Sequence, residues 1–309
     1  MNKGTIPQTS LLSETTAQQP NSILAYTWEM EKSGKAETTA LNAYNYLTML
    51  ARTCDINNPE AVKDKLAKLK WKNSTKHHFA AIYTEYLKYI GKTWARPTYT
   101  IEEPLPFIPN EQEIDSLIAA GQPKTATLLQ LLKETAARIG EIAKLKWQHV
   151  DTTRQTVNIT GIKGSHSRIL PISPKLCAML NSHPKINENV FQTDKLGLRK
   201  TLEKLRRTTA KKLNNPRLLQ IHFHTFRHWK ATMEYHRTKD IMHVRTMLGH
   251  KSIENTVIYI NLEQALFLTD ASEWISKIAH NADEAAKLIE VGFEYVQTIE
   301  TLHLYRKRK

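Results

Sequence analysis

Six residues between positions 138 and 259 carry the side chains from which this chain could build a reaction centre. The set contains two arginines, a lysine, two histidines and a tyrosine, namely Arg138, Lys163, His224, Arg227, His250 and Tyr259. Arginine and lysine offer positive charge to phosphate oxygens, histidine exchanges a proton near neutral pH, and tyrosine can supply an oxygen nucleophile. Chemistry on a phosphodiester without a metal ion needs these groups.

The sequence around these residues narrows their interpretation. His224 and Arg227 are three residues apart, so a helix would place both on one face. An H-x-x-R spacing alone is usually explained by chance or packing, but here it opens the longer run HTFRHWKAT, residues 224–232. The tripeptide LGH, ending at His250, comes next, and Tyr259 lies nine residues further on. Together these features make the pattern specific.

In this order and spacing the residues resemble the tyrosine recombinase/integrase family over roughly residues 107–263. The resemblance implies a site-specific DNA recombinase or integrase that uses no metal and no other cofactor. It implies that Tyr259 attacks the scissile phosphate, giving a 3′-phosphotyrosyl link and a free 5′-hydroxyl. Arg138 and Arg227, helped by His250, would stabilise the charge of the transition state. Because the covalent link conserves bond energy, rejoining the strands would need no ATP.

Two residues of the set would move protons. By the same resemblance, His224 assists proton removal and Lys163 protonates the leaving oxygen. The match is partial at Lys163, because family members tend to have Gly-Lys-Gly in this turn and this chain has Ile162 before the lysine. Relatives also often carry glycine where this chain has Ala136. If that turn needs a positive φ, alanine would be strained there, and the pose of Arg138 depends on the turn.

Each residue also has a plainer explanation. Arg138 could form a surface ion pair of little worth with Glu141, whereas in a reaction centre Glu141 would orient Arg138 through a charged hydrogen bond. Lys163 could be the solvated tip of a hairpin, and Tyr259 a half-buried packing residue. The histidines at positions 222, 224 and 228 match neither an H-E-x-x-H nor a zinc-finger spacing, so we predict no metal site.

Two other functions would use similar residues. A type IB topoisomerase-like enzyme rejoins the same strand, and relaxation of supercoiled plasmid without a specific site would favour it. An inactive DNA-binding regulator is the alternative without enzymatic activity, and the presence of all six residues argues against it. Among recombinases, integration of a mobile element and resolution of chromosome dimers both stay open, and the unusual C-terminal tail favours a mobile element.

Composition points to a polyanionic partner. The 309 residues include 44 lysines and arginines against 30 aspartates and glutamates, a net charge of +14. Such an excess favours phosphate neutralisation and counterion release. Two distant cysteines, Cys54 and Cys177, argue against disulfides and zinc, and neither a secretory signal nor a membrane-length apolar stretch is present. We expect a cytoplasmic, nucleoid-associated protein that binds double-stranded DNA at specific recombination sites.

Periodicity and composition predict a mainly α fold with a small antiparallel β-sheet. Helical spacing of apolar residues runs from about Ile23 to Ile90, and a proline-rich passage then interrupts it between Pro97 and Pro109. The predicted segments are a flexible N-terminal arm (1–20), a helical core-binding domain that clamps DNA (21–92), a linker (93–106), an α+β catalytic domain (107–263) and a C-terminal tail (264–309).

Within the catalytic domain, Asn110 is predicted to cap a helix with Glu113 at its third position. Two strand-like runs, 156–160 and 167–171, flank a glycine-containing turn. The helices predicted after this hairpin are 195–212, 224–237, 239–248 and 253–260. The tail is predicted to contain a short helix at 274–278, a second helix at 282–289, and a hairpin built from 293–299 and 302–305.

Two basic segments are candidate DNA surfaces. One lies in the predicted core-binding domain and the other on the helix over 195–212, and either could equally be a solvated helix face. The candidate residues are Lys68, Lys70, Lys72, Arg199, Lys200, Arg206 and Arg207. By resemblance to the family, the protein would act as a homo-tetramer on two duplexes, with C-terminal segments exchanged between neighbours and accessory factors as further partners.

Overall fold

The computed structural model describes residues 11–102, 104–162, 164–191, 194–267, 274–299 and 301–308. The chain forms two compact units, which are divided between Pro104 and Leu105. This division falls inside the segment predicted as a linker. Among the described residues, no helix is both long enough and apolar enough to cross a membrane.

Four helices make up the described part of the N-terminal unit. They are α1 (Leu11–Lys32), α2 (Glu37–Ala51), α3 (Pro59–Lys68) and α4 (Asn73–Tyr89). Their apolar faces meet in a core in which Leu47, Leu66 and Tyr83 are fully buried. The Tyr83 hydroxyl keeps a hydrogen-bond partner inside this core, because it donates to the Ile56 carbonyl at 2.7 Å. The helical periodicity of the sequence therefore produces a closed helical bundle.

The flexible arm predicted for residues 1–20 is wrong from Leu11 onward, because α1 begins there. Residues 1–10 of that prediction lie outside the described residues. Extending a helix costs far less than nucleating one, and Ile23 and Tyr26 anchor α1 in the core. A polar composition therefore did not prevent this segment from being helical.

Eight helices precede the C-terminal tail in the described part of the second unit. They are α5 (Glu111–Ala120), α6 (Pro123–Thr135), α7 (Ile139–Ile142), α8 (Pro174–Asn181), α9 (Lys195–Lys212), α10 (Phe223–Thr238), α11 (Ile241–Leu248) and α12 (Glu254–Phe267). The predicted cap of α5 is confirmed, because the Asn110 side chain accepts from the Glu113 amide at 2.8 Å and the Glu113 carboxylate accepts from the Asn110 amide at 2.9 Å. The bounds predicted for α9 are also confirmed.

The other predicted helices differ from the observed ones at their ends. Helix α11 begins two residues later than predicted, because Lys239 has a left-handed φ of 53° and Asp240 caps the helix. Helix α12 continues seven residues past the predicted end, to Phe267.

A three-stranded antiparallel sheet lies between α7 and α8 in sequence. Its strands are β1 (Val150–Asp151), β2 (Thr156–Ile159) and β3 (Arg168–Pro171), in the order β1-β2-β3. The two predicted strands are confirmed as β2 and β3, and the two-residue β1 is an addition. Val157, Ile159 and Leu170 are buried in one core with α6 and α10. Ile159 lies opposite Arg168, so an arginine shares this inward face.

The C-terminal tail forms a second small sheet covered by one helix. Its elements are β4 (Trp274–Ala279), α13 (Ala282–Glu290), β5 (Glu294–Ile299) and β6 (Leu302–Arg308), with strand order β4-β6-β5. The helix over 282–289 and the hairpin are confirmed. The short helix predicted for 274–278 is wrong, because this segment pairs along its length with β6 as a strand. Apolar spacing in a segment this short does not distinguish the two structures.

Candidate active site

Arg138 follows a tight turn between α6 and α7. Ala136 ends α6 with a left-handed φ of 53°, the conformation for which the sequence analysis expected strain. For a residue with a Cβ this costs about 1–2 kcal/mol. The Ala136 amide donates to the Leu132 carbonyl at 3.0 Å, and its carbonyl accepts from Arg227 at 2.7 Å. These hydrogen bonds stabilise the turn that positions Arg138.

Arg227 is the most deeply buried cation of the site, with 2% of its surface exposed. Its two terminal nitrogens donate to the carbonyls of Ala136 and Leu248, at 2.7 and 2.8 Å. Burial, and secondarily the charge of Arg138, lower the pKa of Arg227 to about 10, so it stays positive at neutral pH. One guanidinium thus links the turn before Arg138 to the end of α11, just before His250.

Glu141 is an interior carboxylate rather than half of a surface ion pair. Its side chain is fully buried, and it accepts hydrogen bonds from the Arg138 amide at 2.8 Å and from Arg168 at 2.9 Å. Burial alone would raise the pKa of Glu141, but the bonds from Arg168 and the Arg138 amide outweigh it and lower that pKa. The surface-pair explanation is therefore wrong, because Glu141 is buried and holds the Arg138 amide by a hydrogen bond.

A serine connects Arg138 to the His250 segment. The Arg138 guanidinium donates to the Ser165 hydroxyl at 2.9 Å, and this hydroxyl donates to the Gly249 carbonyl at 2.8 Å. Gly249 has a φ of +68°, and a Cβ there would lie 2.6 Å from the His166 carbonyl oxygen. Only glycine fits a left-handed turn packed so closely. His250 is thereby fixed beside the two arginines.

The two predicted site histidines, His224 and His250, differ in their surroundings. His250 is half-buried and hydrogen-bonded to the Thr256 hydroxyl at 2.9 Å, and burial together with Arg227 and Arg138 lowers its pKa to about 4. His224 lies at the exposed rim of the site, where partial burial and then Arg227 and Arg138 lower its pKa. Both rings are therefore neutral at physiological pH.

Tyr259 is enclosed by its own unit, with 2% of its surface exposed. Its hydroxyl lies 3.3 Å from Nδ1 of His228. Burial raises the pKa of the Tyr259 phenol, while the positive charges of Arg227 and Arg138 act in the opposite direction. The tyrosine predicted as the nucleophile therefore lies in the field of both predicted arginines.

The structure brings five of the six predicted residues into one electrostatically coupled cluster, and Lys163 lies outside the described residues. Sequence reasoning missed two members of the site, His228 and Arg168. His228 stands one helical turn after His224 in the run that was already recognised. The signal for Arg168 was strand alternation, which places its side chain on the inward face of β3.

The candidate DNA residues of α9 fall on two sides of that helix. Arg199 and Arg206 line a groove of about 490 Å³ that is also lined by Lys195 and His224. The Nε of Arg206 is buried there without a hydrogen-bond partner among the described residues. Lys200 and Arg207 line a separate, open surface. Arg199 and Arg206 therefore adjoin the reaction centre, while the other two do not share its groove.

The three candidates in the N-terminal unit lie around the junction of α3 and α4. Lys68 ends α3, Lys72 caps α4, and Lys70 lies between them, all with exposed side chains. Within the described parts of the chain, no three His, Cys, Asp or Glu side chains are grouped so that they could hold a metal ion.

The second unit is mainly helical with a small antiparallel sheet, and it places Tyr259 in the field of Arg227 and Arg138. Residues 110–265, about half of the chain, match the model of the phage integrase family. The chain therefore belongs to this family, that of the tyrosine recombinases, the enzymes of site-specific DNA recombination.

Several proteins named as recombinases are similar in sequence to this chain. The chain is 26% identical over 219 residues to the tyrosine recombinase XerC of Chlamydia caviae, covering 64% of this chain and 70% of that protein. It is 27% identical over 201 residues to XerA of Pyrococcus horikoshii, covering 62% and 65%. It is 28% identical over 137 residues to a shufflon-specific DNA recombinase of Escherichia coli, covering 44% and 34%. The matched parts are thus between a third and about two thirds of these proteins.

Two solved structures of integrases have a fold similar to that of this chain. A lambda integrase dimer bound to a COC′ core site is similar with a TM-score of 0.61 at 13% identity, over 82% of this chain and 81% of that one. The Tn1549 transposon integrase in complex with transposon right end DNA gives a TM-score of 0.59 at 11% identity, over 81% and 99%. At these identities the likeness establishes architecture alone.

Proposed function

We propose that this chain cuts and rejoins DNA strands at specific sites through a 3′-phosphotyrosyl intermediate on Tyr259. The observation that carries the proposal is the position of the Tyr259 phenol within the field of Arg227 and Arg138. A phosphorane-like transition state gathers negative charge at such a position, and fixed cations in a water-poor site stabilise it strongly. The similar proteins named as tyrosine recombinases support the same assignment.

Arg227 and Arg138 would have different roles in the proposed reaction. Arg227, held by two backbone carbonyls, keeps other N–H groups of its guanidinium for phosphate oxygens. Arg138, more exposed and oriented by Glu141 and Ser165, would contact the same phosphate from the other wall. His250 would donate a further hydrogen bond, and Lys163 would protonate the 5′-oxygen as it leaves. A 5′-hydroxyl from a partner duplex then reverses the step and exchanges strands.

The first prediction concerns the nucleophile. Wild-type protein incubated with a nicked suicide substrate carrying the cognate site should form a covalent DNA adduct on a denaturing gel, and Tyr259→Phe should form none, because phenylalanine has no attacking oxygen. Tyr295→Phe is a matched control, since this tyrosine is half exposed on β5 of the tail. An adduct that survives in Tyr259→Phe would reassign the nucleophile.

The two alternatives predict different products. A type IB topoisomerase-like enzyme would relax supercoiled plasmid without a specific site and would not join strands from two duplexes. An inactive regulator would bind DNA without forming an adduct. The burial of Arg227 argues against the regulator, because holding its charge at 2% exposure is costly unless that charge is used.

Positively charged side chains around the site would bind the phosphates of the DNA. The groove containing Arg199 and Arg206 adjoins His224, so we propose that it follows the phosphates flanking the cleavage point. Lys68, Lys70 and Lys72 would contact the duplex from the N-terminal unit, and Lys200 and Arg207 would add to the field. With DNA as its substrate, the protein would act at the nucleoid in the cytoplasm.

We further propose that the active form is a homo-tetramer in which C-terminal segments are exchanged between neighbours. Strand β3 is the edge of the first sheet, Ile169 on it is 69% exposed, and a cavity of about 760 Å³ lies beside it. Such an edge can accept a segment from another copy. The tail itself exposes Ile289 and Val291. A sedimentation experiment that finds only monomers on paired recombination sites would contradict this assembly.

The unusual tail favours a mobile element over chromosome-dimer resolution.

A further inference from the structure

We propose that His228 is the group that takes the proton from Tyr259 during strand cleavage. The inference rests on the proposed function, since it concerns the nucleophile of that reaction. His228 is the residue directly after Arg227 on α10, and its Nδ1 is 3.3 Å from the Tyr259 hydroxyl. Among the described residues, no other side chain is hydrogen-bonded to that hydroxyl. The phenol proton therefore has one acceptor already in place.

The geometry explains how the contact is fixed. The rings of His228 and Tyr259 lie with centroids 5.9 Å apart and planes tilted by 47°. Helices α10 and α12 pack against each other, so the backbone holds both side chains. A distance of 3.3 Å is long for a hydrogen bond, and such contacts often tighten only when substrate is bound. The described arrangement is thus a resting contact that can shorten.

Burial and the neighbouring positive charge keep the ring of His228 unprotonated at rest. Burial lowers the pKa of His228 to about 4, and His224 and Arg227 on the same helix act in the same direction. The other titratable groups that face it are Tyr259 from α12 and His250 after α11. At neutral pH the ring is uncharged, so Nδ1 carries a free lone pair when the proton is on Nε2. Negative charge gathering on the phosphate would then favour protonation of the ring.

Every bond and proton in the cleavage step is accounted for by groups of the proposed mechanism. As the Tyr259 oxygen bonds to phosphorus, its O–H bond breaks and the proton passes to Nδ1 of His228. The bond from phosphorus to the 5′-oxygen breaks, and that oxygen receives a proton from Lys163. On rejoining, the attacking 5′-hydroxyl returns a proton to Lys163, the bond from phosphorus to the Tyr259 oxygen breaks, and that oxygen regains the proton held by His228. No oxidant, metal or nucleotide is required.

This assignment changes the part played by His224. Its ring lies 5.6 Å from that of His228, edge to face, and it is on the exposed rim of the site. His224 is therefore one step further from the phenol and faces the groove where DNA phosphates would lie. The residue that the family resemblance chose for proton removal is not the one that contacts the nucleophile.

Two substitutions separate proton transfer from positioning. In His228→Asn the amide oxygen can occupy the place of Nδ1 and accept the phenol hydrogen bond, but it cannot take up the proton. In His228→Phe both functions are lost while the ring volume is kept. We expect the rate of adduct formation on the nicked suicide substrate to fall by about 10²- to 10⁴-fold in both variants, with DNA affinity unchanged. His236→Asn, on the same helix and outside the site, should cleave at the wild-type rate.

The acidity of the nucleophile provides the readout that a merely structural role would not change. If His228 removes the proton, the rate of His228→Asn should rise about tenfold per pH unit as the phenol ionises without help, while the wild-type rate changes much less. Incorporating a fluorinated tyrosine at position 259, whose phenol is more acidic, should accelerate His228→Asn more than the wild type. Circular dichroism and DNA binding would show that each variant is folded.

The outcomes are distinct. Wild-type rates in His228→Asn, or equal effects of the fluorinated tyrosine in both backgrounds, would overturn the role of His228 and leave Tyr259 as the nucleophile. An adduct in Tyr259→Phe would overturn the proposed function itself, whatever the His228 variants do.

Discussion

Replacing Arg227 with lysine should reduce strand cleavage by at least about 10²- to 10³-fold, the cost of losing one fixed donor to developing charge. Lysine keeps the positive charge but has a single nitrogen in place of the guanidinium fork. It cannot donate to the Ala136 and Leu248 carbonyls, as Arg227 does, and contact a phosphate at the same time. Adduct formation on the nicked suicide substrate, measured at saturating protein, gives the rate.

DNA binding should distinguish this loss from a loss of affinity. Because the charge is retained, the dissociation constant and its dependence on salt should stay close to those of the wild type. Arg199→Lys makes the same change in the groove that adjoins the site, and it should reduce cleavage only slightly. Cleavage by Arg227→Lys within a few-fold of the wild type would show that charge alone suffices. A lost contact to a buried carbonyl should also lower the free energy of unfolding by about 1–3 kcal/mol.

The second large effect is expected at Glu141, the carboxylate between Arg138 and Arg168. Glu141→Ala leaves the buried Arg168 guanidinium without its charged partner, and removing one half of a buried pair typically costs about 3–5 kcal/mol. Chemical denaturation measures this loss. Glu188→Ala removes an exposed partner of Lys146 and should cost no more than about 1 kcal/mol. Equal losses in the two variants would contradict the interior role of Glu141.

A double variant separates the folding role of Glu141 from its role in the site. Glu141→Leu combined with Arg168→Met removes both charges, which should restore much of the stability. It should not restore cleavage, because the Arg138 amide and guanidinium would still lack the carboxylate that orients them. Recovery of cleavage together with stability would show that Arg138 finds its pose without Glu141.

Lowering the pH should destabilise the folded protein through the Glu141 carboxylate. The pKa of Glu141 is lower in the folded protein than its ordinary value, so its stabilising contribution is complete above the unfolded pKa and is lost as pH falls through the folded value. The unfolding free energy of the wild type should therefore decline on acidification, and Glu141→Gln should decline less steeply over that range.

The features that the sequence predicted well are those with local signals. The bounds of α9, the cap at Asn110 and the hairpin of β2 and β3 each depend on residues close together in the chain. The start of α1 and the identity of β4 were wrong, because each depends on what the segment packs against or pairs with. A polar stretch extends a helix that is already anchored, and a short apolar stretch forms a strand when β6 is beside it.

The same distinction applies to the site. Motif order predicted which arginines and which tyrosine would come together, and the structure places Arg138, Arg227 and Tyr259 in one field. It could not predict that Glu141 pairs with Arg168, 27 positions away, or that Tyr259 contacts His228, 31 positions away. Those contacts depend on how the sheet and the helices pack, which spacing within a motif does not encode.

The two carbonyls that hold Arg227 belong to segments far apart in the chain, one ending α6 and one ending α11. If either segment came loose, the guanidinium would lose its anchor and the phosphate would lose its clamp together. If Arg227 acts as proposed, a molecule in which either segment has come loose would fail to cleave DNA, whatever affinity its surface lysines contribute. On the proposed mechanism, the fold would in this way make cleavage conditional on the packing of both segments.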